Sequence, residues 1–323
     1  MQTLDSPRTA PPGEPSAQAA LVSAASSTAA AQQAAAALAA GGGLGEGWND
    51  IPVTDWQGQP LDCAACPHAA MRRLADGCEP GRSCMQDAYA RRIDRFFRSH
   101  PQLAGQHLQH AYFEVRAIAA RHADVFALPA LLDDPDETVR MQLALRLPLR
   151  QLSRLRHDPH REVRIRVAQR LAEAELPTML RDSDYEVRKT VARRLAPALL
   201  PLLMHDPDLQ VRCEVARRVP MPALWRLVED GAPEVRRIVA ERLPAPLLDA
   251  LARDSDWLVR HTAAGRALGP VLARLLHDDE AEVREAAAER LALLEADNAG
   301  APVLSIAPLP HTAPENRHGR HQP

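Results

Sequence analysis

Four of the chain's five cysteines, Cys63, Cys66, Cys78 and Cys84, fall within 22 residues in a C-x₂-C-x₁₁-C-x₅-C spacing. Thiols grouped this closely either pair as disulfides or hold a metal as thiolates. The segment ahead of them has proline and acidic residues and no basic cluster, unlike a secretory leader, so a reducing, cytoplasmic setting and metal-thiolate chemistry are expected. Two such chemistries stay open on spacing. Four thiolates suit tetrahedral zinc, but structural zinc sites use two short knuckles, and five residues separate Cys78 from Cys84. A cubane [4Fe-4S] cluster tolerates looser spacing, and with four thiolates it carries about two negative charges when oxidised.

Seven arginines surround these cysteines: Arg72, Arg73, Arg82, Arg91, Arg92, Arg95 and Arg98. They either offset cluster charge or form a solvated helix face, since Tyr89 to Arg98 reads as an amphipathic helix with Ile93, Phe96 and Phe97 inward. His68 is read as structural, because four thiolates already complete a site. Cys213 is expected to be a bystander thiol at the surface, in a slot that other repeats fill with Met141, Ile165, Lys189, Arg237, His261 or Glu285.

A repeat must position this module. The pair Val-Arg recurs every 24 residues at Val115, Val139, Val163, Val187, Val211, Val235, Val259 and Val283. Alanine follows five residues after each valine, and leucine usually eight after, as at Leu147, Leu171 and Leu195. Offsets of this kind share one helix face, so each repeat has one amphipathic α-helix. Asp134 and its six equivalents up to Asp278 stand five residues before the Val-Arg pair and read as helix N-caps, with Pro135, Pro159 and Pro207 at the first helical position. On that reading the helix runs from about Asp134 to Leu147. The remaining ten or so residues of each period carry Leu at three-residue spacing, as Leu128 and Leu131, with prolines nearby, which fits one short 3₁₀ turn rather than a strand. Such units bury their apolar faces only by stacking. The arginine column beside an aspartate column is read as an ion-pair ladder, because interleaved aromatic residues for base stacking are missing.

Composition agrees. The chain is 46% hydrophobic but only 3% aromatic, which suits an aliphatic all-α core, and its net charge of -3 gives no global pull toward nucleic acid or an anionic membrane. The uncharged stretch from Ser16 to Gly45 is too poor in large apolar residues for a membrane span. Gly41-Gly42-Gly43 is read as linker, because no Lys-Ser/Thr follows it.

Helical repeats of the HEAT type share the Asp-Pro-Asp and Val-Arg signals but have longer periods of about 40 residues. The 24-residue pattern, of the form Asp-Pro-Asp-x-x-Val-Arg-x-x-Val-Ala-x-Arg-Leu, resembles instead the leucine-rich repeat variant family over Gln106 to about Ala296. That resemblance implies an α-helix paired with a 3₁₀ helix in a right-handed superhelix. The stretch from Asp55-Trp56-Gln57-Gly58 through Cys84 is similar to the iron-sulfur domain that precedes these repeats in proteins of nitrogen-fixing bacteria. It implies Cys63, Cys66, Cys78 and Cys84 as the four ligands and, by association only, a role near nitrogen fixation.

The expected organisation is a disordered low-complexity tail over residues 1–47, a four-cysteine iron-sulfur module over 48–105, an eight-repeat solenoid over 106–297, and a disordered tail over 298–323 whose His311, His318 and His321 are not read as a site. The expected function is non-enzymatic: a [4Fe-4S] cluster transfers an electron or senses redox state while the solenoid docks a protein partner. No nucleophile-base set, P-loop, dinucleotide fingerprint or C-x₃-C-x₂-C motif is present in the sequence. The alternative is a protein-binding scaffold with a structural zinc site.

Overall fold

The computed structural model describes residues 51–74 and 77–300. Residues 298–300, expected in the C-terminal tail, are the end of a helix, whereas the expectations for residues 1–47 and for the tail beyond Gly300 fall outside the described residues. Among these, the α-helices of eight residues or more are α1 (Ala90–Ser99), α2 (Phe113–His122), α3 (Glu137–Arg146), α4 (Arg161–Arg170), α5 (Tyr185–Arg194), α6 (Leu209–Arg218), α7 (Pro233–Arg242), α8 (Trp257–Ala264) and α9 (Ala281–Gly300). No strand occurs among the described residues of the repeats, and none of their helices is long and apolar enough to cross a membrane.

The helices begin later than the sequence suggested. Helix α3 starts at Glu137, and its N-cap is Asp136, whose carboxylate accepts a hydrogen bond from the Thr138 amide at 2.8 Å. Asp184, Asp208 and Asp256 cap α5, α6 and α8 in the same way. The aspartates five residues before each Val-Arg pair do something else. Each accepts a two-toothed ion pair from the arginine of the preceding repeat, as Arg116 to Asp134, Arg140 to Asp158, and on to Arg260 to Asp278. In α5 and α6, for instance, Arg188 Nε meets Asp206 at 2.7 Å and Arg212 Nε meets Asp230 at 2.9 Å. Pro135 and its equivalents therefore lie in the loop before the cap, not at the first helical position.

The same arginines turn their third nitrogen onto loop carbonyls of their own repeat, as Arg140 onto Asp134 O at 2.6 Å. Burial opposes ionisation of Asp134, yet hydrogen bonds from Arg116 and the Asp136 amide hold its carboxyl below the usual carboxylate range. A second arginine column faces the other way. Arg146, Arg170, Arg194, Arg242 and Arg266 donate at 2.6 to 2.7 Å to carbonyls in the last turn of the preceding helix, such as Ala120 and Ala144. Those carbonyls have no partner within their own helix, and a cation there also complements the helix dipole. Each repeat is thus tied forward by one arginine and backward by another.

The second element of each period is a 3₁₀ helix at Val125–Leu131, Glu173–Met179 and Pro197–Leu203, each with a proline inside. Proline lacks the N-H that an α-turn would need there. Over Leu149–Leu152 and Gly269–Leu275 the segment is instead α-helical; neither has a proline at the position of Pro129, but Ala223–Leu227 also lacks one and stays 3₁₀, so the proline favours the 3₁₀ form without being required for it. The expected 3₁₀ turn is corrected at those two places.

One continuous apolar core, in which Val139, Val163, Val187, Val211 and Val235 are fully buried, runs from Met85 to Val259. A smaller cluster around Ala263, Ala264 and Ala287 closes the series. Burying one valine contributes about 2 kcal/mol, so stacking outweighs the weak propensity of a ten-residue helix. The first members of the core, Ile93, Phe96 and Phe97 on α1, are fully buried with Val115 and Ile118 of α2. The described residues from Thr54 onward form one compact unit, so α1 caps the first repeat.

Candidate metal centre

Cys63, Cys66, Cys78 and Cys84 line a single cavity, together with Leu61, Ala69, Pro80 and Arg72. Local hydrogen bonds explain how four separated cysteines converge. Asp62 accepts from the amides of Ala64 and Ala65 at 2.9 and 3.1 Å, folding the chain between the first two cysteines. Just beyond, the His68 amide donates to Cys66 Sγ at 3.4 Å, and a 3₁₀ helix runs over Ala69–Arg73.

The five-residue gap between Cys78 and Cys84 is a tight turn. Arg82 N donates to Glu79 O at 3.0 Å, Pro80 takes the second position, and Gly81 takes the third with φ of 81°. This is the type II pattern, in which a positive φ favours glycine. Glu79 and Ser83 pair across it, so Cys78 and Cys84 flank the two ends of one short hairpin. The spacing that looked wide for a metal knuckle is a knuckle closed by Pro-Gly. Gly77 is needed for packing: a Cβ there would lie 1.6 Å from the Met71 carbonyl oxygen.

Burial first, and then the neighbouring Cys66 and Cys63, push the Cys78 thiol up, with Arg72 opposing. Burial pushes Cys84 up to about 11. Cys78 and Cys84 resist ionisation until a cationic group joins them, and binding it as thiolates releases protons. The donor set fits an iron-sulfur cluster, with four sulfurs, apolar walls and an amide donor on one sulfur. No group of three or more His, Cys, Asp or Glu among the described residues is disposed to hold a single metal ion.

Of the seven arginines, Arg72 alone lines the cysteine cavity. Arg92 is instead buried in an ion pair with Asp87 at 3.1 Å, which fixes the entry to α1 beside Cys84, whose amide donates to Arg92 O. Arg98 and Arg121 both reach Asp94, as does His122 at 3.1 Å, so an acidic residue of α1 is clasped by α2. His68 is structural, as read from the sequence: its Nε2 lies 2.8 Å from His107 Nε2, and both rings are buried against Phe96 or Phe97. Burial and His68 itself push His107 down to about 4, so the pair is neutral and one ring donates to the other. Cys213 is the correction. It is buried, packed in the core with its thiol pushed up by burial, and stands far along the chain from the other four on α6.

Comparison with known proteins bears on both parts. Residues 53–106 match the family described as "LRV protein FeS4 cluster". Residues 113–136, 185–208 and 233–256 match the leucine rich repeat variant, and residues 268–294, where the second element is α-helical, match the HEAT repeat. A solved structure described as "a leucine-rich repeat variant with a novel repetitive protein structural motif" is 45% identical, with a TM-score of 0.68, and the alignment covers 71% of this chain and 98% of that one. A Rhodobacter capsulatus protein named "Uncharacterized 27.7 kDa protein in nifB 3'region" is 52% identical over 95 residues, which are 29% of this chain and 38% of that protein's length.

Proposed function

The chain belongs to the leucine-rich repeat variant family, with an iron-sulfur cluster domain ahead of its repeats, and on that premise we propose that it is a non-enzymatic, cytoplasmic [4Fe-4S] protein whose solenoid docks a protein partner. The observation that carries this reading is the single cavity lined by Cys63, Cys66, Cys78 and Cys84 at the capped end of the repeat core. When bound, the cluster supplies one-electron redox chemistry.

The chain's own residues would do the rest. The four thiolates are the ligands. Leu61, Ala69 and Pro80 exclude water, and the His68 amide, by donating to Cys66 Sγ, favours the more negative reduced state. Arg72 opposes the accumulated negative charge. A link to nitrogen fixation is part of the proposal, supported by the name of the Rhodobacter capsulatus relative. The test is anaerobic purification with iron, sulfide and zinc analysis. About four iron and four sulfide per chain are expected, with colour lost on changing any of the four cysteines to serine and kept in Cys213→Ser. Stoichiometric zinc without sulfide would overturn the reading in favour of a zinc-stabilised scaffold.

A further inference from the structure

The charged groups of the module are sorted by direction. Most of its described carboxylates are engaged with the module's own interior: Asp55 takes the amides of Gln57 and Gln59, Asp62 those of Ala64 and Ala65, Asp87 is buried against Arg92, and Asp94 is held by Arg98, Arg121 and His122, while Glu79 is exposed and paired with Arg82. Its arginines other than Arg92 reach the surface, Arg82 while pairing with Glu79 and Arg98 while pairing with Asp94. Arg72, Arg73 and Arg95 are exposed, and the side chains of Arg82 and Arg98 are 74% and 70% accessible.

These arginines are also contiguous with the cysteine cavity. Arg82, Arg95 and Arg98 line a groove with Gly77 and Ser83, the residues flanking Cys78 and Cys84, and with Glu79, whose single carboxylate pairs with Arg82 and leaves the groove net positive. The backbone of Gly77 packs onto Met71 and Leu74, the residues on either side of the exposed Arg72 and Arg73. Leu74 stands 61% exposed beside them. An apolar residue inside a charged rim is the common anatomy of a transient protein interface. A like-charged surface also raises the encounter rate with an oppositely charged partner by about 10- to 1,000-fold, and salt removes the gain.

We infer that the face formed by Arg72, Arg73, Leu74, Arg82, Arg95 and Arg98 is the docking site for an acidic one-electron carrier protein. The inference rests on the redox reading of the site above. The carrier gives up one electron and the module's cluster gains it, with no bond formed or broken.

The probe is a plant-type [2Fe-2S] ferredoxin, an acidic carrier, mixed with the full holoprotein. Sedimentation and ferredoxin NMR shifts read the complex, and stopped-flow absorbance reads the transfer. Binding is expected at low salt, weakening at least tenfold on raising salt to about 0.5 M. Arg73→Glu/Arg82→Glu should weaken it at least tenfold at low salt. Leu74→Ser should weaken it at every salt concentration, and Arg154→Glu on a distant exposed turn should leave it unchanged. Reduction by the methyl viologen radical cation should not be slowed by any of these changes. No complex at low salt, or a complex indifferent to the double charge reversal, overturns the docking site. Failure of viologen to reduce the holoprotein instead overturns the redox reading, so the two failures are separable.

Discussion

The solenoid and the cysteine module solve the same problem, burying polar groups, in opposite ways. In the repeats the two recurring arginines have protein partners supplied by the next or preceding repeat: arginine meets aspartate forward, and arginine meets helix-end carbonyls backward. In the module Asp87 and His68 are likewise paired, but the four thiols line one cavity, where burial first, and then the neighbouring cysteines, push the Cys78 and Cys84 thiols up. The first region is complete as protein. The second is complete only with a cationic occupant, so folding energy enters the two regions from different sources. Redundancy differs as well. The ladder has many copies of each part, whereas Gly77, Gly81 and each cysteine occur once.

The sharpest break of this contrast is Gly77→Ala. Its Cβ would collide with the Met71 carbonyl, so the module is expected to lose its cluster entirely while circular dichroism still reports a helical repeat array. Within the array, Val187→Asp puts an unpaired carboxylate at a fully buried position, with an expected loss of about 4 kcal/mol or more in denaturant unfolding. Unchanged stability would mean that the repeat register is wrong. Asp206→Ala strands the buried Arg188 guanidinium and should cost about 3 kcal/mol. Arg284→Ala, at the end of the ladder, has only the carbonyls of Asp278 and Asp279 to lose and should stay within about 0.5 kcal/mol. Equal effects at the two positions would show that the ladder does not act through its buried pairs.

The smallest effect is on pH. Cys84 is pushed from 9.0 in the unfolded chain to about 11 when folded without metal, so between those values the unfolded state releases a proton that the folded state keeps. The apoprotein should therefore lose stability as pH rises from 9 toward 11 and show no such slope below 9. The loaded protein, whose thiolates are already ionised, should lack this slope.

Most of the architecture was legible because it is written eight times. The valine and alanine offsets gave the buried face, and the aspartate column gave the ladder. The cap register was not legible, since Asp-Pro-Asp offers two carboxylates per repeat and Pro135 makes the first look like the cap. Only the length of the arginine side chain from the preceding repeat decides which aspartate is claimed. The burial of Cys213 was hidden by Lys189 and Arg237 in equivalent slots, whose long stems extend where a thiol is covered. In the module the four cysteines were plain, whereas the pairing of His68 with His107, 39 residues apart, had no periodic signal. The Pro80-Gly81 turn was readable in principle, because that dipeptide between two cysteines marks a closed knuckle.

The central claim is that an occupied cysteine site is the cap of the solenoid rather than a separate bead. Helix α1 shares its core with α2, and Asp94 is held by Arg121 and His122, so metal-dependent folding of the module should reach the repeats. The direct measurement is hydrogen exchange across Phe113–His122, together with thermal melting, on holoprotein and on protein stripped of iron and sulfide. The apoprotein is expected to melt at lower temperature and to lose protection first in α2, with the central helices least affected. Identical melting and identical protection in the two forms would contradict the account.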